Sequence, residues 1–370
     1  MTSEKNGCTI ITQFNSLKRY GLKRRALKWN THIDKGETIM RKTTWKKVVS
    51  ASMISVMTAS LCVGCGGSND DGASEQTYTI GICQLVQHDA LDAATQGFQD
   101  ALTEKLGENV TFDLQNAAGD SPTCSTIVNQ FVTDDVDLIM ANATPALQAA
   151  MAATAEIPIV ATSITDFGTA LDMSDWKGVT GINVTGTADL APLAEQAAMI
   201  QEVCPDAKTV GILYCSAEAN SKYQADVITE ELDALGLKAT VYTVAETNEI
   251  ASVTTKACEE VDVLYIPTDN TIASATSAVN EIAAPANVPV IAGEAGICQG
   301  CGVATLSISY YSLGQKAGEM AYEILVNGAD PAEMEIEYAE ELTKQYIPDR
   351  AEALGLTIPY GYEAMEASAE

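Results

Sequence analysis

The chain has 370 residues and a formal net charge of −29, distributed very unevenly. Residues 1–64 hold 12 of the 21 Lys and Arg residues, so the remainder carries a formal charge of −38. Such an acidic body repels phosphate backbones and anionic lipid, which excludes a nucleic-acid partner and assigns any membrane attachment to the N-terminal region. The length suffices for two domains of ordinary size.

A basic segment and an apolar segment precede the acidic body. Residues 41–47 are basic, and residues 48–61 form an uncharged run that is too short for a comfortable membrane span. The small residues before Cys65 resemble a bacterial lipobox, with Cys65 as the lipidated residue. Residues 40–64 are therefore predicted to be a lipoprotein signal peptide, and residues 65–76 a Gly- and Ser-rich flexible tether. An uncleaved anchor is the alternative.

Residues 1–39 do not fit this leader, because a signal peptide begins near its basic region. Lys35-Gly36-Glu37 can be encoded by a ribosome-binding sequence just upstream of the codon for Met40. We therefore predict that translation begins at Met40 and that residues 1–39 are a mis-called start.

From residue 77 onward, short apolar runs alternate with stretches of helical periodicity. Apolar residues recur at spacings of three and four between Leu91 and Leu102, which indicates an amphipathic helix. Alternating strands and helices predict βαβ units around a parallel sheet. The predicted strands of this first half are Tyr78–Leu85, Val110–Asn116, Val136–Ala143, Pro158–Ile164 and Val179–Val184.

The same pattern recurs in the second half, where Val261-Asp262-Val263 repeats Val136-Asp137-Leu138. A helix is predicted over Lys222–Leu235. The two halves are therefore predicted to form two open α/β lobes whose strand ends face each other across a cleft. The strands predicted here are Val210–Cys215, Ala239–Val244, Val261–Pro267 and Pro289–Gly293.

Further elements follow after both lobes are complete, which predicts that the chain crosses between them again and forms a multi-strand hinge. Residues 77–187 are assigned to lobe 1 and residues 188–303 to lobe 2. Residues 304–332 are then predicted to return to lobe 1, and residues 333–366 to lobe 2.

Motifs of common catalytic sites are missing. After residue 64 the only histidine is His88, and no G-x-S-x-G, H-E-x-x-H or Walker motif occurs. Cys298 and Cys301 form a CxxC without the second half of a zinc site, and the sequence leaves open whether they are paired or free. We therefore predict a binding protein that is not an enzyme and holds no metal or cofactor.

Polar residues at the predicted strand ends are the candidates for ligand contacts. Thr144 is predicted to cap a helix that begins at Pro145, which leaves free amides suited to a carboxylate. In lobe 2, Asp269 could bind an ammonium group, with an N-cap role as an equal alternative. This combination favours a zwitterionic amino acid. The predicted ligand-binding residues are Gln87, Ala143, Thr144, Ser163, Thr165, Glu218, Asn220, Ser221, Asp269, Asn270, Glu294 and Tyr310.

Four segments carry a family resemblance: V-D-L-I-M-A-N-A-T-P-A, Glu218-Ala219-Asn220-Ser221, I-P-T-D-N-T and I-S-Y-Y-S-L-G-Q. They resemble the ABC-transporter substrate-binding family that includes tryptophan- and tyrosine-binding lipoproteins of Gram-positive bacteria, over about residues 77–360. The resemblance implies a type I periplasmic-binding-protein fold with three interlobe crossovers and an aromatic amino acid as ligand.

The same resemblance implies an extracytoplasmic, lipid-anchored monomer that serves an ABC permease with a separate ATPase subunit. Tyr310, Tyr311 and Phe167 are candidates for walls around an aromatic ring, with interlobe packing as the alternative. Other functions stay open, namely a type I receptor for a sugar or nucleoside, a surface adhesin or sensor, and an enzyme that uses a carboxylate pair.

Overall fold

The computed structural model describes residues 76–174, 176–339 and 341–368. The predictions for the start at Met40, the signal peptide and the lipidated Cys65 lie outside these residues. Within the described part, no helix combines the length and the apolar character needed to cross a membrane.

The first lobe is built from alternating strands and helices. Its elements are β1 (Tyr78–Gln84), α1 (Asp89–Leu106), β2 (Val110–Asn116), α2 (Ser121–Thr133), β3 (Leu138–Asn142), α3 (Thr144–Ala153), β4 (Ile159–Ile164), α4 (Phe167–Ala170) and β5 (Val184–Ala188). The strands form a parallel sheet in the order β5-β4-β3-β1-β2.

Side chains of β3 alternate between two cores because successive residues of a strand point to opposite faces. Ile139 and Ala141 pack with residues of α2 and α3, whereas Leu138 and Met140 pack with residues of α1. Helices therefore cover both faces of the sheet, which explains why β3 is apolar throughout.

The second lobe repeats this design. Its elements are α5 (Leu193–Val203), β6 (Thr209–Cys215), α6 (Ala219–Ala234), β7 (Lys238–Val244), α7 (Ile250–Cys258), β8 (Val263–Ile266), α8 (Asn270–Ala273), α9 (Thr276–Ala286), β9 (Val290–Ala292), α10 (Ala295–Cys301) and β10 (Ala304–Ser307). These strands form a parallel sheet in the order β10-β9-β8-β6-β7.

The last part of the chain extends both sheets. It contains α11 (Tyr310–Asn327), β11 (Glu337–Tyr338), β12 (Thr343–Tyr346), α12 (Pro348–Ala353) and β13 (Glu363–Ala364). Strand β11 pairs with β5 of the first sheet, while β12 pairs antiparallel with β10 of the second. The chain therefore passes between the sheets after β5, after β10 and after β11, which confirms the predicted two-lobed fold.

Close packing against α1 holds the returning helix α11 to the first lobe. A Cβ atom added at Gly314 would lie 2.0 Å from the carbonyl oxygen of Ala94, and one at Gly97 would lie 2.1 Å from the carbonyl oxygen of Tyr311. Only glycine fits at these two positions, because any side chain would separate the two helix backbones.

Two sequence predictions differ from the structure. The fifth strand is Val184–Ala188 and not Val179–Val184, because Gly178 and Gly181 adopt φ values of +96° and +70° that turn the chain before the strand begins. The chain also returns to the first lobe later than predicted, after residue 304, and leaves it later than residue 333. Strand β10 pairs with β9 in the second sheet, so the chain enters the first lobe only with α11, and β11 still belongs to the first sheet.

Candidate functional site: the interlobe cleft

The carboxyl ends of the strands of both lobes border a shared cleft. His88, directly before α1, places Nε2 3.2 Å from Oδ1 of Asn270 at the start of α8. A cavity of about 400 Å³ opens between the lobes, and its lining includes Leu85, Gly119 and Pro145 from the first lobe and Ala217 and Glu218 from the second. The lobes thus touch around a space large enough for a small solute.

Helix α3 presents an uncapped N-terminus at the end of β3. The helix begins at Thr144, so the prediction of Thr144 as N-cap is wrong by one residue: the N-cap is Ala143, which has no side-chain acceptor. Ala143 is buried and adopts a φ of +88°, a conformation that costs an alanine free energy. Pro145 has no amide proton, so the free amides at this end belong to its neighbours.

Ser163 at the end of β4 is also in an unusual state. Its φ is +57°, and its hydroxyl oxygen Oγ is buried without a hydrogen-bond partner. Unsatisfied buried hydroxyls are rare because they cost about 1–3 kcal/mol. The ends of the adjacent strands β3 and β4 therefore combine backbone strain with unused hydrogen-bonding capacity, a combination that clusters at functional sites.

Glu218 in the second lobe has both carboxylate oxygens occupied. Its Oε2 accepts from the amide and the side chain of Asn270, at 3.1 and 2.7 Å. Its Oε1 accepts from the amide and the hydroxyl of Thr271, both at 2.8 Å. Glu218 thus stabilises the start of α8, which lies 52 residues further along the chain.

Asp269 is the N-cap of α8, which was the alternative to ligand binding. Its Oδ1 accepts from the amide of Ile272 at 2.9 Å, and its Oδ2 from the amide of Cys215 at 2.6 Å. Burial and the neighbouring Glu218 together raise the pKa of Asp269 to about 7, although the hydrogen bonds from the two amides oppose the shift.

Glu294 has the same role at the start of α10. Its carboxylate accepts from the amides of Gly296 and Ile297, and burial raises its pKa to about 7. Next to these caps, the side-chain amide of Asn220 donates to Glu218, and the hydroxyl of Ser221 donates to the carbonyl oxygen of Thr268.

Gln87 does not join the other predicted residues. It is exposed and lines a different cavity of about 430 Å³, on the first lobe, together with Gln84, Asp92 and Gln96. The carboxylate of Asp92 accepts from Gln84 at 2.6 Å, so this cavity has its own local hydrogen bonds.

Asp189 is a buried acid at the first crossover that was not among the residues predicted from the sequence. It follows β5, where the chain first leaves the first lobe, and it is 4% exposed. Its Oδ2 accepts from the hydroxyl of Tyr310 at 2.9 Å, and Thr165 also hydrogen-bonds to it, whereas its Oδ1 has no partner. Because the fifth strand was predicted to end at Val184, Asp189 was not recognised as a strand-end residue.

The three aromatic residues considered as ring walls lie in different surroundings. Phe167 is buried in the core of the first lobe, 6.2 Å from the ring of Trp176. Tyr311 is half-exposed, and its hydroxyl donates to Asp100 of α1, which supports the packing alternative. Tyr310 is buried and is directed at Asp189.

Two open parallel sheets, three crossovers and a shared cleft define a two-lobed solute-binding protein. Residues 79–366 match the model of the family described as ABC transporter substrate binding protein. The chain belongs to this family, whose members bind solutes outside the cytoplasm.

Characterised relatives cover most of the chain. A tyrosine-binding protein of Clostridioides difficile is 36% identical over 291 residues, which are 76% of this chain and 84% of that protein. The crystal structure of an ABC domain from Streptococcus pneumoniae in complex with L-Trp is 32% identical, with a TM-score of 0.75 over 78% of this chain and all of that one.

A third relative shows a different conformation. The ligand-free, open structure of a substrate-binding protein with adhesive properties from Clostridium difficile is 36% identical and covers 79% of this chain and all of that one, with a TM-score of 0.61. The present structure is thus more similar to the tryptophan complex than to the open form, despite the lower identity.

Proposed function

We propose that this protein is the receptor of an ABC importer and that it binds an aromatic amino acid, namely tryptophan, tyrosine or phenylalanine, in the interlobe cleft. The relatives of 36% and 32% identity support this ligand class, because one is a tyrosine-binding protein and the other holds L-Trp. Buried polar groups without partners among the protein side chains, such as those of Ser163 and Asp189, support a polar, zwitterionic ligand.

The first lobe supplies the groups that suit the ligand carboxylate. The N-terminus of α3 has no side-chain cap, and amides at a helix start attract an anion. The hydroxyl of Ser163 has a hydrogen-bond donor to spare. In the proposed complex, the carboxylate accepts from the helix start at Thr144 and from Ser163, because the amide of Ala143 already donates to the carbonyl oxygen of Thr162.

Capture involves no chemical reaction. The open lobes bind the amino acid, closure buries it, and the closed form delivers it to a permease whose ATPase is a separate subunit. A lipid on Cys65 and a tether over residues 65–76 would keep the receptor at the outer face of the membrane, within reach of that permease.

Isothermal titration calorimetry of the purified protein against the twenty amino acids tests this function. We expect micromolar or tighter binding for one or more aromatic amino acids and no heat with the acidic or basic ones. The control is a parallel titration with sugars and nucleosides. Binding of those solutes alone would exclude the proposed ligand class while leaving the receptor role in place.

An adhesive role is a second candidate, because the relative with the open structure is a substrate-binding protein with adhesive properties. Attachment of the purified protein to cultured epithelial cells, with and without the amino acid present, tests it. Attachment no greater than that of an unrelated acidic protein would remove this candidate.

A further inference from the structure

Four acidic side chains of the described residues are buried: Asp189, Glu218, Asp269 and Glu294. Both carboxylate oxygens of Glu218 and of Glu294 accept from backbone amides at a helix start. One oxygen of Asp269 does the same, and its other oxygen accepts from the amide of Cys215 at the end of β6. Asp189 differs, because its Oδ1 is buried and has no hydrogen-bond partner. Asp189 is therefore the buried acid that retains an unused acceptor.

The surroundings hold the Asp189 carboxylate in place without neutralising it. Tyr310 donates to Oδ2 from the second crossover, and Thr165 donates from the end of the neighbouring strand β4. The other titratable group that faces this position is Glu294 of the second lobe, which is itself acidic. The described residues supply no cation that acts on the pKa of Asp189.

Such a carboxylate is costly to bury. Burial raises the pKa of Asp189 to about 6, against the hydrogen bonds from Tyr310 and Thr165, which favour the ionised form. At neutral pH the group is nevertheless mostly ionised, and a buried charge without a counterion destabilises the folded protein. A cation at Oδ1 would remove this cost and would provide the missing donor.

We propose that Oδ1 of Asp189 binds the α-ammonium group of the ligand when the lobes close. This inference rests on the proposed function, and it names a residue for the positive end of the zwitterion. The position fits, because Asp189 lies at a crossover between Thr165 of the first lobe and Glu294 of the second. Tyr310 is then a positioning residue that orients the carboxylate and does not itself need to touch the ligand.

The test compares Asp189→Asn with the wild-type protein in calorimetric titrations with L-tyrosine and L-tryptophan. Each amino acid is paired with its analogue lacking the amino group, 3-(4-hydroxyphenyl)propionate and indole-3-propionate. We expect Asp189→Asn to weaken binding of the amino acid about 100-fold and to change binding of the analogue less than about threefold. Asp226→Asn, at an exposed Asp of α6, is the matched control and should change neither affinity.

Folding of the variant is checked by thermal unfolding without ligand. Because the substitution removes a buried charge, we expect the Tm of Asp189→Asn to equal or exceed that of the wild type. Unchanged affinity for the amino acid in Asp189→Asn would overturn the ammonium role and leave the proposed function intact. Equal losses for the amino acid and its analogue would overturn it too, since they indicate a structural effect. Wild-type protein that binds no amino acid would overturn both proposals.

Discussion

The strand ends of the two lobes use their polar groups differently. In the second lobe, the carboxylates of Glu218, Asp269 and Glu294 are occupied by amides that begin α8 and α10. Ser163 in the first lobe and Asp189 at the first crossover keep buried oxygen atoms without partners. A satisfied carboxylate stabilises the fold, whereas an unsatisfied one has capacity left for a ligand. Asn220 of the second lobe also keeps a buried side-chain oxygen without a partner, so the difference concerns the carboxylates: those of the second lobe stabilise helix starts, whereas Asp189 retains an unused acceptor.

The largest expected effect concerns the carboxylates of the second lobe that stabilise helix starts. Glu218→Ala leaves the amides of Asn270 and Thr271 without their acceptor in a buried position. We expect the free energy of unfolding to fall by about 3 kcal/mol, as measured by urea denaturation. Glu230→Ala, at an exposed position of α6, serves as the control. A loss below about 1 kcal/mol would show that the start of α8 does not depend on Glu218.

The pH dependence of amino-acid binding tests the role proposed for Asp189. The folded-state pKa of Asp189, about 6, lies above the usual value of 3.8, so the folded protein takes up this proton first as pH falls. An ammonium ligand needs the ionised form, and its affinity should therefore drop about tenfold between pH 7 and pH 5. Calorimetric titrations across this range measure the drop, which should shrink in Asp189→Asn. An affinity independent of pH in the wild type would contradict this prediction.

Lowering the pH should weaken ligand binding, but it should stabilise the protein without ligand. Burial raises the pKa of Asp189, Asp269 and Glu294 to between about 6 and about 7. Because the folded state binds these protons more tightly than the unfolded state, stability should rise as pH falls from about 7 to about 5. Thermal unfolding without ligand would show a higher Tm at pH 5.5 than at pH 7.5. A Tm that falls steadily as the pH is lowered from 7.5 to 5.5 would contradict the burial of these acids.

The smallest expected effect concerns Ser163. Ser163→Ala removes a buried hydroxyl that has no partner in the protein, so the unliganded protein should gain about 1 kcal/mol. Its affinity for the amino acid should fall about tenfold, since the proposed carboxylate contact is lost. Urea denaturation and calorimetry measure the two changes, with Ser125→Ala on the exposed face of α2 as the control. A stability loss together with unchanged affinity would assign Ser163 to the fold.

Much of the architecture could be predicted from local sequence patterns. The apolar run of β2 was located at its observed bounds, and those of β1, β6 and β7 within a residue of theirs. Strand β5 was misplaced because Val179–Val184 is apolar in part, yet Gly178 and Gly181 turn the chain there. That single error hid Asp189, since the predicted strand ended four residues too early.

The roles of the site residues depend on long-range contacts that a pattern does not contain. Glu218 precedes α6 in the sequence and would be expected to cap it, yet its side chain caps α8 instead. Asp269 was given two roles of equal weight, and the bonds to Cys215 and Ile272 show the capping role. Its contact with a ligand stays a prediction, as do those of the other strand-end residues.

The sequence by itself determined the two βαβ lobes and the absence of familiar catalytic motifs, because periodicity and motif spacing are local properties of the chain. Only the tertiary structure decided which buried acids are satisfied. That outcome depends on amides and hydroxyls brought together from distant segments, such as Tyr310 and Asp189, 121 residues apart. Hydrogen-bond satisfaction is a property of the folded neighbourhood, and it is what distinguishes Asp189 from the acids that hold the second lobe together.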